Sequence, residues 1–114
     1  MKDNIILNKT IQFSLAIIRY TEQLEQDKKH IIARQLLRSA TSVGANMHEA
    51  QNAESKADFI HKVKISAKEI EETKYWLTLC EHSMSYAFDK DLKLMAEEIS
   101  LIIYKILSSS KRKM

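Results

Sequence analysis

The stretch that decides the fold is LLRSATSVGANMHEAQ, residues 36–51. An α-helix turns by about 100° per residue, so the spacing of the apolar residues predicts one narrow stripe on a helix that packs into a core. The stripe comprises Leu36, Ala40, Val43, Met47 and Ala50. The roughly opposite side carries Arg38, Ser42, Asn46 and Glu49. This polar side holds small residues and little charge, whereas a helix face that contacts only water usually carries Lys and Glu. We therefore expect the polar side to contact another surface.

The composition favours an all-helical protein of one domain. The 114 residues include no Pro and one Gly, so few residues signal turns. Apolar residues at alternating steps of four and three predict helices over about 8–26 (or from one turn earlier), 29–53, 56–81 and from Asp89 to near Ser108. Ser55 and Asp58 form a capping box before the third helix. These segments predict an all-α, antiparallel up-down-up-down four-helix bundle over residues 1–110, followed by a disordered basic tail, 111–114.

The remaining helices also have predicted core stripes. In the first helix the stripe is Phe13, Ile17, Tyr20 and Leu24. In the third it is Phe59, Val63, Ser66, Ile70, Thr73, Leu77 and Cys80. In the fourth it is Leu92, Met95, Ile99, Ile102 and Ile106. Four such stripes provide enough apolar surface to hold a bundle together without a metal or cofactor.

Two of the predicted helices carry a second apolar face. On the first helix it consists of Ile11, Leu15 and Ile18, and on the third of Ile65, Trp76 and Leu79. A monomeric bundle would leave both faces in water, and monomers rarely expose large apolar patches. We therefore expect a homo-oligomer.

Several kinds of site and location are disfavoured by the sequence. No apolar run approaches the ~20 residues of a membrane span, and the N-terminus lacks the apolar core of a signal peptide. With the single cysteine, Cys80, this predicts a cytoplasmic protein with no membrane contact. The Glu-x-x-His motif of di-metal bundles is absent, and Asn52 stands where a second His would complete H-E-x-x-H after His48. We expect no metal, no cofactor and no enzymatic activity.

Basic side chains are the candidates for contact with RNA or DNA. Three of the 18 lie in the predicted tail, which leaves 15 against 15 acidic side chains in residues 1–110. His30, Arg34 and Arg38 form a row on the second helix, and His61, Lys64 and Lys68 form one on the third. The candidate contacts are Arg34, Lys64, Lys68, Lys111, Arg112 and Lys113. The alternative is that exposed lysines only keep the helix faces solvated.

With these residues in view, the chain resembles the four-helix bundle protein family first described from the intervening sequences of bacterial 23S rRNA genes. The resemblance rests on residues 36–51 and on DFIHKVKISAKEIEETKYWL, residues 58–77. It implies a bundle that assembles as a ring-shaped homopentamer. It also implies distant kinship with the accessory protein of diversity-generating retroelements, a pentameric bundle that binds nucleic acid and a reverse transcriptase. The family signature falls on Arg38, Ser42, Asn46, Glu49, Lys68, Glu69, Glu72 and Trp76.

The signature residues have two interpretations. Arg38 and the glutamates are suited to charge-assisted pairs, within a protomer or across a subunit boundary. In that case the signature fixes helix register and subunit docking. Alternatively, it contacts a ligand or nucleic acid. Two functions follow: an oligomer that binds RNA or DNA, or a scaffold that docks another protein, such as a reverse transcriptase, without touching nucleic acid.

Overall fold

The computed structural model describes residues 4–112, with the backbone alone described for Arg112. It contains four helices: α1 (Ile5–Gln26), α2 (His30–Ala50), α3 (Lys56–His82) and α4 (Lys90–Arg112). Each helix packs against the next in the chain, and α4 closes the bundle against α1. The predicted four-helix bundle is confirmed. None of the helices in the described range is apolar enough over a sufficient length to cross a membrane.

Side chains fix the helix ends where the sequence predicts them. Ser55 Oγ accepts a hydrogen bond from the backbone N–H of Asp58 at 3.0 Å, and this satisfies one of the free amides at the start of α3. Asp89 Oδ1 accepts one from the backbone N–H of Asp91 at 2.9 Å at the start of α4. The turn after α1 needs a left-handed residue, and Lys28 supplies it with φ 63° in place of a glycine.

The predicted core stripes of α1, α2 and α3 are buried, with Phe59 half-buried at the end of its stripe. The stripe of α4 differs from the prediction. Its buried residues are Leu92, Ala96, Ile99, Ser100 and Ile103. The stripe is therefore rotated toward α3, where Ser100 Oγ donates to Glu71 Oε2 at 3.4 Å. Met95, Ile102 and Ile106, which the sequence placed in the core, are half-buried at its border.

The end of α4 also differs from the prediction. The helix continues for four residues beyond Ser108, and Ser109 and Ser110 are half-buried. Lys111 is therefore part of a helix. Lys113, in the predicted tail, lies outside the described residues.

The second apolar face of α1 is exposed, with Ile11 44% and Leu15 47% accessible. On α3, Ile65 and Trp76 are half-buried and Leu79 is exposed. The protomer thus leaves the face of α1 uncovered, as expected, but it partly covers the face of α3, which the prediction had left in water.

Candidate functional site

The polar side of α2 contacts α3. The guanidinium of Arg38 bonds to Glu72 Oε2 at 2.5 Å and to Glu69 Oε1 at 3.3 Å. Trp76 Nε1 donates to the same Glu72 oxygen at 2.9 Å. The cationic Arg38 and then the indole N–H hold the pKa of Glu72 below its usual range. The charge-assisted pairs expected for Arg38 therefore form within one protomer.

A second ion pair joins the same two helices nearer the end of α2. Lys62 Nζ lies 2.8 Å from Glu49 Oε1, and this carboxylate raises the pKa of Lys62. Asn46 Nδ2 donates to the backbone carbonyl of Ser42 at 2.9 Å, so this amide is bonded to its own helix. Most of the signature side chains are thus engaged inside the protomer. This favours the interpretation that they fix the register of α2 and α3.

Buried hydroxyl groups reinforce that register. Thr73 Oγ1 and Ser39 Oγ share a hydrogen bond of 2.9 Å between the two helices. Ser66 Oγ donates to the backbone carbonyl of Val43 at 2.8 Å. Sequence reasoning placed Ser66 and Thr73 on the core stripe but did not foresee these bonds. Hydroxyl residues at core positions were the available signal, because a buried polar group must find a partner.

A basic groove lies between α3 and α4. His61 and Lys64 of α3 and Lys111 of α4 line a cavity of about 280 Å³ together with Ala57 and Ile60. The structure therefore brings part of the predicted row on α3 next to the first residue of the predicted tail. Periodicity did not reveal this, since the spacing of residues within each helix does not give the register between two helices.

The cations near this groove are not neutralised. Within residues 4–112, the structure gives no carboxylate within 4.0 Å of Lys64, Lys68 or Lys111. Four other lysines are paired: Lys9 with Glu98, Lys62 with Glu49, Lys74 with Glu71 and Glu97, and Lys93 with Glu81. Among the described residues, Lys28, Lys29, Lys56, Lys90 and Lys105 also have no carboxylate within 4.0 Å. We name Lys64, Lys68 and Lys111 the free basic cluster.

The predicted row on α2 is weaker than the row on α3. His30 is paired with Glu25, and Arg38 is paired with Glu69 and Glu72. Arg34 is the one member of this row for which the described residues provide no such partner. The side chains of Arg112 and Lys113, the other two candidates, lie outside what the structure describes.

A larger cavity opens at the end of the bundle. It measures about 650 Å³, and its walls are mostly apolar, with Lys105 and the two serines Ser109 and Ser110 among its polar residues. Among the described residues, no group of three or more His, Cys, Asp or Glu side chains is placed to hold a metal ion.

Comparisons with known proteins place the chain in a family. The family model described as 23S rRNA-intervening sequence protein matches residues 2–108. A crystal structure of a protein of unknown function from Bacteroides thetaiotaomicron, assigned to the S23 ribosomal protein family, is 33% identical. The match covers 90% of this chain and 98% of that chain, with a TM-score of 0.85. No curated protein matches the chain. With nearly its full length matched, the chain belongs to the family of 23S rRNA-intervening sequence proteins.

Proposed function

We propose that this protein is a non-enzymatic homo-oligomer that binds RNA or DNA, without strong sequence preference, through the basic groove between α3 and α4. The free basic cluster is the observation that carries the proposal. Lysine contacts phosphate as a point charge, and such contacts give affinity without reading sequence. The paired lysines elsewhere on the bundle contribute less, because their carboxylate partners already neutralise them.

Oligomerisation supports the proposal by multiplying this charge. Residues 1–110 carry equal numbers of acidic and basic side chains, so one protomer offers a polyanion only a local site. Several linked copies raise the overall affinity without any new contact. The resemblance to the pentameric retroelement accessory protein favours five copies.

The positions of the apolar faces suit a ring. Ile11 and Leu15 of α1 line a groove with Gly44 and Ala45 of α2, so this face lies over the α1–α2 side of the bundle. Trp76, in the second face, bonds beside Arg38 over the α2–α3 side. A head-to-tail contact between two different faces generates a ring when the rotation from one copy to the next closes. The groove between α3 and α4 lies on another side and stays accessible.

A filter-binding titration of a labelled RNA at low and moderate salt tests the proposal. Because phosphate contacts release counterions, we expect affinity that falls steeply with salt. The variant Lys64→Ala/Lys68→Ala should bind more weakly and with a shallower salt dependence. The control Arg19→Ala/Lys90→Ala removes two exposed cations from outside the cluster and should bind like the wild type. No binding at low salt, or equal weakening by both variants, would overturn the proposal.

A protein-docking scaffold is the second candidate function. Leu94 and Leu101 of α4 are 67% and 73% exposed, so this outer face offers apolar surface to a partner. The resemblance suggests a reverse transcriptase as one such partner. An intact oligomer that fails to bind nucleic acid at any salt concentration would favour this function over the first.

A further inference from the structure

We infer that the nucleic acid bound at this site is single-stranded and that one of its bases stacks on Tyr75. The inference rests on the proposed function, and it adds the form of the nucleic acid and a contact to a base. It stands on the position of Tyr75 relative to the free basic cluster, on the contacts and exposure of its ring and on the charge of Lys64 and Lys68.

Tyr75 lies on the same outward side of α3 as two of the free cations. Lys64, Lys68 and Tyr75 follow at steps of four and seven residues, which keeps them on one side of the helix. At 1.5 Å per residue the three span about 16 Å along α3. Tyr75 is 57% exposed, the most exposed aromatic side chain for which the structure gives a value. A strand that follows the lysines therefore reaches this ring.

The ring of Tyr75 contacts one aromatic neighbour and is otherwise largely exposed. It makes an edge contact with Trp76, with centroids 5.3 Å apart and planes at 65°. An edge contact covers at most one face of the tyrosine ring, so the other remains free for a base. Trp76 is itself fixed by its bond to Glu72, which Arg38 holds in turn. A supported ring loses little conformational freedom on binding, and this favours stacking.

The positive charge on this side of α3 lies at Lys64 and Lys68, which have no carboxylate partner among the described residues. The acidic residues near Tyr75 share their cations, because Arg38 is paired with both Glu69 and Glu72, and Lys74 with both Glu71 and Glu97. We therefore place the phosphates of the strand at the two lysines and only a base at Tyr75.

The geometry favours a single strand over a duplex. Bases in a duplex are stacked on one another and shielded by two backbones, and a ring on a convex helix surface cannot reach their faces. Unpaired bases are free to stack on an aromatic side chain. Because every base has such a face, the contact adds affinity while sequence preference stays low.

Fluorescence anisotropy with three labelled probes tests the inference: oligothymidine and oligouridine of about 20 nucleotides, longer than a common binding site, and a mixed-sequence duplex of the same length. We expect the full-length protein to bind both single strands more tightly than the duplex. Tyr75→Ala should weaken single-strand binding about tenfold, the range of one lost stack, and leave duplex binding unchanged. Tyr75→Trp should bind single strands like the wild type, since it keeps an aromatic face.

Leu101→Ala is the matched control, because it removes another large exposed side chain, on α4, and should change no affinity. Circular dichroism verifies that each variant is folded. Duplex binding as tight as single-strand binding, or wild-type affinity in Tyr75→Ala, overturns this inference while the proposed function stands. Failure of all three probes to bind the wild type at low salt overturns the proposed function as well.

Discussion

Arg38 on α2 and Trp76 on α3 donate to the same oxygen of Glu72, at 2.5 Å and 2.9 Å. One carboxylate thus connects Arg38 of α2 to Trp76 of α3, the half-buried neighbour of the exposed Tyr75. The pair of helices is also joined inside the core by the bond between Ser39 and Thr73. The two helices are therefore joined both at the surface, beside the aromatic residues, and inside the core.

Arg38→Ala should reduce stability modestly and weaken single-strand binding only slightly, because Glu72 loses its cation beside Trp76 while Tyr75 and the free basic cluster stay in place. Arg38 is about half exposed, so its pairs contribute no more than about 1 kcal/mol to the free energy of unfolding. Chemical denaturation followed by the fluorescence of Trp76, the only tryptophan, measures this loss. Arg34→Ala is the control, since this exposed arginine has no carboxylate partner in the part of the chain described. A large loss of affinity at unchanged stability would instead make Arg38 a nucleic-acid contact.

Low pH should weaken the interactions of Glu72 with Arg38 and Trp76 and so lower the stability of the bundle. Because the pKa of Glu72 is lowered in the folded state, its stabilising contribution is present above the pKa of an unfolded glutamate, about 4.3, and is lost as the pH falls through the lower folded value. Denaturation midpoints measured between pH 7 and pH 3 should therefore fall less steeply in Glu72→Gln than in the wild type. If the midpoint fell equally steeply with pH in the wild type and in Glu72→Gln, Arg38 and Trp76 would not favour the charged form of Glu72.

Gly44→Ala should destabilise the bundle even though alanine is the better helix former. A Cβ at residue 44 would lie 3.0 Å from Cβ of Thr10 and 3.2 Å from its Oγ1. Thr10 is buried, its Cβ is fixed to the backbone of α1, and its Oγ1 donates to the carbonyl of Leu7 at 2.9 Å. The close contact between the new Cβ and Thr10 can therefore be relieved only if α1 moves. Overpacking of this kind costs about 1–3 kcal/mol, whereas replacing glycine by alanine in a helix gains about 1 kcal/mol in helix propensity.

Thermal and chemical denaturation measure the effect of Gly44→Ala. The variants Gln35→Gly and Gln35→Ala provide the comparison, because residue 35 is exposed on α2 and the difference between their stabilities should reflect helix propensity alone. If Gly44→Ala raised the free energy of unfolding by as much as Gln35→Ala exceeds Gln35→Gly, the close packing of α1 on α2 would not explain the glycine.

The four-helix bundle could be predicted from the sequence because the spacing of apolar residues within each helix is enough to identify the helix and its core face. The stripe Phe13 to Leu24 and the cap at Ser55 are local signals, and the structure confirms both. The sequence did not predict that the buried stripe of α4 is rotated toward α3. The prediction was based on large apolar residues such as Met95, whereas the stripe includes the small residue Ala96. The groove at Lys64 and Lys111 was missed for a different reason. It depends on the register between α3 and α4, which neither helix encodes alone.

Cys80 should be unreactive in the folded protein. The thiol is fully buried, and burial raises its pKa, so the reactive thiolate is disfavoured. A thiol reagent at pH 8 should modify Cys80 only when denaturant is added. Because the pKa of Cys80 is higher in the folded than in the unfolded protein, the neutral thiol makes its whole contribution to the free energy of unfolding below the unfolded pKa, about 8.5. This contribution is lost as the pH rises above that value. Rapid modification of the native protein would show that the core around Cys80 opens readily.

Leu15→Glu should convert the protein to a monomer. Leu15 lies at the centre of the exposed face of α1, and a buried carboxylate there would be left without a partner in any assembly that covers this face. Size-exclusion chromatography with light scattering should give the wild type a mass of several times 13.2 kDa and the variant a mass near 13.2 kDa. Leu94→Glu, an equally drastic change on the exposed face of α4, should keep the wild-type mass. A wild-type mass near that of one chain would refute the oligomer, and only the local charge at Lys64, Lys68 and Lys111 would then remain to bind a polyanion.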